Sequence, residues 1–579
     1  MRPHLILLCG LLASWALASA EPLVIERVTV IDATGKAAQP NMTVVVDRGR
    51  ISAVRPSGKA KTPGGSRVID GRGKFLIPGL WDMHVHGAAG RSTWSYPLYV
   101  ANGVVGARDM WGPSNATAWR AQHAAYKEPA PTLYLGSPII DGPKPYWPDS
   151  VSVATPAQGR EAVDRYQARG SDFIKVLHLL PRDVYFAIAD EARQRNIPLA
   201  GHAPYLATAA EASDAGQTSF EHLVGVALGA SSQEEVLRAE IPVTLSDRVR
   251  RDLRAFASYD TAKADSLFAR FVRNGTWQTP TLTVLRSFAY LKDTEFVNDA
   301  RLKYVPASLR SQWNPETDFR FSKMTADDQT ALREVFLEDL KLVGRMHAAG
   351  VGMLAGTDTM NPYCFPGFSL HDELALLVEA GLSPMAAIQA ATRNPARFMG
   401  QLDRRGTIET GKISDLVLLD RDPTADIHNT RSIRAVVLGG EFLSRAQLDN
   451  MLSDAEASAA RVPVSGVLMK TIQDKNVDAA IQQYRTLQST EPQKYDFSAD
   501  ELIVLGYGLL GAKRFADAVG IFALSVEVAP DYFNTYDSLA EAYMDQGNKE
   551  LAIKNYKKSL ELEPDRFSAV ENLKLLNQP

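Results

Sequence analysis

Five short segments each put a possible metal ligand at the end of an apolar run: Asp82-Met-His84-Val-His86, Phe173-Ile-Lys175-Val, Ala200-Gly-His202-Ala, Phe220-Glu-His222 and Ala355-Gly-Thr-Asp358. Together they supply four imidazoles, one lysine and one carboxylate, enough to hold two divalent metals and a hydroxide. Residues i and i+2 of a strand face the same side, so His84 and His86 aim at a common point. Lys175 ends an apolar strand among other ligands, where burial and like charge both disfavour an ammonium. The competing readings are a lysine paired with a buried carboxylate, and hydrogen-bonded core histidines at 202 and 222.

Ligands at the ends of apolar runs need strands to carry them. Candidate strands follow one another at 79–83, 104–107, 132–135, 173–176, 198–200, 218–221, 277–279 and 351–354, with helical patterns between most of them. Strand–helix alternation argues for a parallel sheet, and eight repeats fit a (β/α)8 TIM barrel over 79–400. The stretch 282–346 is long for one crossover and rich in aromatics, and reads as helices that form a lid. Strand-rich blocks at 21–78 and 401–445 flank the barrel and predict a small composite β-sandwich. After a linker at 446–465, residues 466–579 repeat with a 34-residue period. Ala518 and Ala552, Phe522 and Tyr556, and Pro530 and Pro564 stand in register. This predicts an all-α domain of tetratricopeptide-like repeats.

The chain from 22 to 445 resembles the metal-dependent amidohydrolase superfamily, in its prolidase-like and imidazolonepropionase-like branch. The resemblance lies in the early DMHVH, the later GHA, EH and GTD, and the tail Gly406-Thr-Ile-Glu-Thr-Gly-Lys-Ile-Ser-Asp-Leu-Val-Leu-Leu-Asp420. Ala380 to Thr392 also looks like that family's closing helix region. It implies that His84, His86 and Asp358 hold one metal and His202 and His222 the second. It further implies that Lys175 bridges them as a CO2-derived carbamate and that Asp358 carries the proton. Nitrogen and oxygen ligands suit Zn2+ best, with Mn2+ or Co2+ also accepted. The implied activity is hydrolysis of a C–N bond in a small substrate, a dipeptide or N-acyl amino acid, through a metal-bridging hydroxide. The alternatives are a cyclic amidase or imidazolonepropionase-like ring hydrolase, and a repeat-based binding protein with an inactive barrel.

Around the site, Arg108 could bind substrate or form a structural ion pair. His178 could contact substrate from the barrel top. His371 could touch substrate or begin a helix capped by Ser369, and Tyr363 lies in the same loop. The 63 basic and 67 acidic residues leave a net charge of −4, which argues against a dedicated nucleic-acid surface. Residues 1–20 read as a secretory signal peptide, which predicts a periplasmic protein with no membrane span. The repeats predict a protein partner or self-association. Beyond the leader the one cysteine is Cys364, so no intramolecular disulfide is expected.

Overall fold

The computed structural model describes residues 21–59, 62–89, 93–147 and 149–578. The expected leader, with Cys9, lies outside the described residues. No helix among the described residues is long and apolar enough to cross a membrane.

Parallel pairing runs from Leu80–Val85 through Val104–Asp109 to Thr132–Leu135, and from Ile174–Val176 through Leu199–Gly201 and Gln217–Glu221 to Trp277–Thr279. Three bridges join these ladders: Gly136 to Phe173, Gln278 to Met353, and Thr359 to Val85. Main-chain hydrogen bonds reinforce the last seam, from Met83 N to Ala355 O and from Asp358 N to His84 O, each 2.8 Å. The extended run 353–359 is therefore the eighth stave, and the ring closes. Every residue of Leu80–Val85 is buried, as expected of a parallel strand covered on both faces. The crossover helices are amphipathic. Helix Arg182–Gln194, for example, buries Val184, Tyr185, Ile188 and Ala192 along one stripe.

Both flanks contribute to one eight-stranded sheet. Its backbone order runs from Glu441–Ser444 through Ile433–Leu438, Leu416–Leu419 and Phe75–Pro78 to Leu23–Val30, then Gln39–Asp47 and Arg50–Pro56, with the eighth strand, Arg67–Asp70, also paired to Leu23–Val30. It packs on a satellite core that includes Ile25, Val44, Leu418 and Val437.

The linker expected over 446–465 is largely helical. Most of it lies in helix Arg445–Ala459, started by a capping box between Ser444 and Gln447. Reciprocal capping followed by good helix formers favours helix over coil, so the connection is stiff. Three helix pairs follow, beginning at Val464–Asp474 and ending at Lys549–Leu562, with Phe567–Leu576 as a closing helix. Ala480, Ala518 and Ala552 are buried at matching places, and so are Tyr484, Phe522 and Tyr556. The small residue lets paired helices approach, and the ring fills the gap in the next layer.

Candidate metal centre and cavity

The six candidate ligands sit where barrel strands end. His84 and His86 close the first strand, Lys175 lies in the fourth, His202 and His222 follow the fifth and sixth, and Asp358 ends the eighth. Asp358 Oδ1 lies 3.1 Å from His86 Nε2 and 3.5 Å from His84 Nε2, and its Oδ2 lies 3.8 Å from His222 Nδ1. One ligand atom from each of His84, His86 and Asp358 fits within a 4.8 Å span. The rings of His84 and His222 are 4.5 Å apart, and those of His202 and His222 are 5.0 Å apart.

Three of the imidazoles have Nδ1 committed to a neighbour. His84 Nδ1 meets the Glu221 carboxylate at 2.8 Å, His202 Nδ1 meets His178 Nδ1 at 3.0 Å, and His222 Nδ1 meets Thr281 Oγ1 at 2.6 Å. A carboxylate only accepts, so His84 Nδ1 donates and Nε2 keeps the lone pair. Thr281 gives its own hydroxyl proton to Pro280 O, so it accepts from His222, with the same result. An outer hydrogen bond that fixes the tautomer and turns Nε2 inward is how metal-binding histidines are held. His84 Nε2 and Asp358 Oδ1 are buried without a hydrogen-bond partner. Orphaned polar atoms of this kind are costly, and a divalent metal would satisfy both. The donor set therefore fits a metal.

The backbone is bent to reach this arrangement. His222, Thr281 and Asp358 have φ of 55°, 52° and 58°, a region that β-branched and bulky residues rarely adopt. Gly356 lets the eighth stave pass His84, because a Cβ there would lie 2.8 Å from His84 Cβ.

Burial sets the charge states. It holds His84, His202 and His222 well below the ordinary imidazole value, so neutral rings face the site. Burial also pushes the Lys175 amine down to about 8, helped by Arg108 and opposed by Glu221 and Asp358. Lys175 is 1% exposed. For Asp358, burial works upward, but His222, His86 and Lys175 outweigh it and hold the carboxyl below its usual range.

Residues 180–443 match the amidohydrolase family, and residues 533–566 match the tetratricopeptide repeat. The chain carries an amidohydrolase family domain. An imidazolonepropionase of Aromatoleum aromaticum is 36% identical over 121 residues, which span 19% of this chain and 27% of that protein. Among solved structures, a bottromycin amidohydrolase aligns with a TM-score of 0.58 at 23% identity, over 75% of this chain and 90% of its own. A Xaa-Pro dipeptidase with methionine in its active site aligns with a TM-score of 0.55 at 19% identity, over 73% of this chain and 100% of its own. At these identities the structural matches establish a shared fold.

Above the six candidate ligands the barrel opens into a cavity of about 550 Å3. Trp111, Trp147, Phe256, Phe288 and Phe336 supply aromatic walls, while Arg248, Asp252 and Arg320 bring charge; burial pushes the Asp339 carboxyl, in the same lining, well up. The segment 282–346 forms helices, including Leu282–Ala289, Ala307–Ser311 and most of Ala326–Ala348, and contributes Val284, Leu309 and Val335 to the lining. His178 lines the same cavity. Its stacking on His202, with ring planes 12° apart, also makes it a support for that ligand.

Three candidate substrate contacts are corrected. Arg108 is 0% exposed and lies beneath the site. Its Nη2 donates to both Glu221 oxygens at 2.9 and 2.8 Å and to Thr279 Oγ1 at 3.0 Å, and its Nη1 donates to Ser219 Oγ at 2.9 Å. Side chains alternate along its strand, so it points into the barrel rather than out of its mouth. His371 is buried between Thr430 Oγ1 at 2.9 Å and Asn102 O at 3.0 Å. Its helix, Phe368–Glu379, starts after Gly367, and Ser369 does not cap it but accepts Phe365 N. Tyr363 packs with Trp313 and Phe296 in a separate aromatic cluster. Cys364 is fully buried, and burial pushes its thiol well up.

The sequence reading missed Glu221 and Asp82, although both stand inside its motifs. Asp82 accepts from Thr357 Oγ1 at 2.6 Å and from His84 N at 3.2 Å, and burial raises it to about 7. A carboxylate next to a ligand histidine, pointing inward on a buried strand, was the available signal.

Proposed function

We propose that the chain hydrolyses a C–N bond of a small amide, with His84, His86 and Asp358 holding one metal, His202 and His222 the second, and a carbamate on Lys175 bridging them. The observation that carries this reading is the orientation of His84 and His222, each donating from Nδ1 and leaving Nε2 for a metal. Nitrogen and carboxylate donors suit Zn2+. A metal held there would supply Lewis-acid polarisation of the substrate carbonyl and acidification of water. Asp358 takes the proton of the attacking water and returns it to the departing nitrogen. Burial of Lys175 favours the neutral amine that CO2 addition requires, and Glu221 with Arg108 keeps His84 in the competent tautomer.

Cavity chemistry supports a substrate with one large apolar group, and an N-acyl amino acid fits best. Arg248 lines the cavity, and among the described residues its side-chain hydrogen bond runs from Nε to Asp252 Oδ2 at 3.4 Å. That leaves the Nη1 and Nη2 edge of the guanidinium for a substrate carboxylate. A charge-assisted hydrogen bond contributes about 2 kcal/mol, so Arg248→Gln is expected to raise KM for a free-acid substrate about 30-fold. KM for the corresponding methyl ester should stay unchanged. An equal rise for acid and ester would refute carboxylate binding by Arg248.

Metal analysis of the purified protein tests the core of the proposal. About two metals per chain are expected, with a fall in Lys175→Ala. One metal, unaffected by that substitution, would instead favour single-metal ring hydrolysis, the reading to which the imidazolonepropionase likeness lends weight.

A further inference from the structure

The loop that closes the last helix pair, Glu563-Pro-Asp-Arg566, reaches across to the barrel. Asp565 accepts from Arg165 Nη1 at 2.7 Å, Arg169 Nη1 at 2.5 Å and Tyr166 Oη at 3.0 Å. Its side chain is 10% exposed, so this is a docked contact. The residues on either side of it touch two other barrel segments. Arg566 Nη1 lies 2.6 Å from Asp149 Oδ1, while its Nε is held 3.2 Å from Asp537 inside the repeats. Glu563 accepts a hydrogen bond from the Ser114 side chain.

Those two partners have a common property. Ser114 stands three residues after Trp111, and Asp149 stands two residues after Trp147. Both tryptophans line the cavity, and their rings are 6.5 Å apart. Trp111 also meets the His86 ring edge-on at 6.4 Å. Trp147 packs on Tyr146 at 5.2 Å and on Phe319 of the segment 282–346 at 5.6 Å. Neither tryptophan-bearing loop belongs to a barrel strand. Their own hydrogen bonds include Trp111 N to Asp109 Oδ1 at 3.0 Å, Tyr146 N to Asp141 Oδ2 at 2.9 Å and Ser150 N to Trp147 O at 3.0 Å, and contacts from outside a loop add to the frame that holds it.

We propose that the closing loop of the repeats is a positioning element of the cavity, in which Glu563 and Arg566 hold the Trp111 and Trp147 loops as one aromatic wall beside His86. The repeats are on this account part of the machinery that shapes the substrate chamber. Asp565 supplies the fixed point, clamped by three donors, from which its neighbours reach out.

The decisive variant removes the anchors from the barrel side, because Arg566 also supports the repeats through Asp537. Ser114→Ala combined with Asp149→Ala leaves that support intact. Hydrogen–deuterium exchange is read in peptides covering 106–115 and 143–152, with peptides of the repeats and of 199–222 as references. Exchange should rise in both tryptophan loops and stay unchanged in the references, with metal content unaltered. For an N-acyl amino acid carrying a large apolar group, KM should rise roughly 10-fold, within the ~100-fold that remote misplacement can cost, while kcat holds. The KM readout rests on the hydrolase reading above; the exchange readout does not, so failure of one is separable from failure of the other. Unchanged exchange in both loops would overturn the proposal, and so would a rise of equal size in the references.

Discussion

On the proposed mechanism, Asp358→Asn is expected to lower kcat/KM by about 100- to 10,000-fold, the range for loss of a positioned general acid–base group, with the chain still folded. The amide keeps the shape of the side chain but removes both the base and the negative charge. That charge sits 3.1 Å from His86 Nε2 and 3.5 Å from His84 Nε2, so metal content should fall as well. Steady-state kinetics with metal added in excess separate the two losses. If saturating metal restored activity to within tenfold of the wild type, Asp358 would be a ligand alone, and the proton would travel elsewhere.

Arg108→Met has the largest expected effect on stability, a loss of about 3–5 kcal/mol, the cost of breaking a buried ion pair from one side. Glu221 would keep a buried negative charge, and the three other groups that Arg108 binds, Ser219, Thr279 and Met83 O, would lose their donor. His84 would then lose the fixed partner of its Nδ1 and bind metal less well. Urea unfolding followed by a barrel-specific probe measures the first effect, and metal titration the second. Adding Glu221→Gln to Arg108→Met should recover part of the stability, because the uncompensated charge is gone, and the double-mutant cycle isolates the coupling. A loss below about 1 kcal/mol in the single variant would mean that Arg108 does not neutralise Glu221.

The residues that converge at the barrel mouth were legible as a set because each is a local signal. A ligand at the end of an apolar run stays at a strand end whatever the strand's neighbours are. The i, i+2 spacing of His84 and His86 alone puts them on one side. The eight strands, the two flanking blocks and the phase of the repeats are likewise written in short-range pattern, since period 2, period 3.6 and a recurring Ala and Pro need no partner to be seen.

Roles assigned by contact were not legible. Arg108 reads equally well as a substrate ligand or a structural ion pair until the barrel closes and puts Glu221, more than a hundred residues away, against it. His371 and Tyr363 share a loop region with Asp358, yet closure turns one toward Asn102 and Thr430 and the other toward Trp313. His178 becomes a support for His202 because neighbouring strands bring the two rings together. The reach of Asp565 to Arg165 spans 400 residues, and no periodicity encodes it. Sequence pattern determines which face of its own element a side chain occupies. Which other face it meets depends on strand order, register and domain docking, all set by the packing of the whole chain, and so the tertiary structure alone decided which surrounding residues face the cavity and which hold the candidate ligands in place.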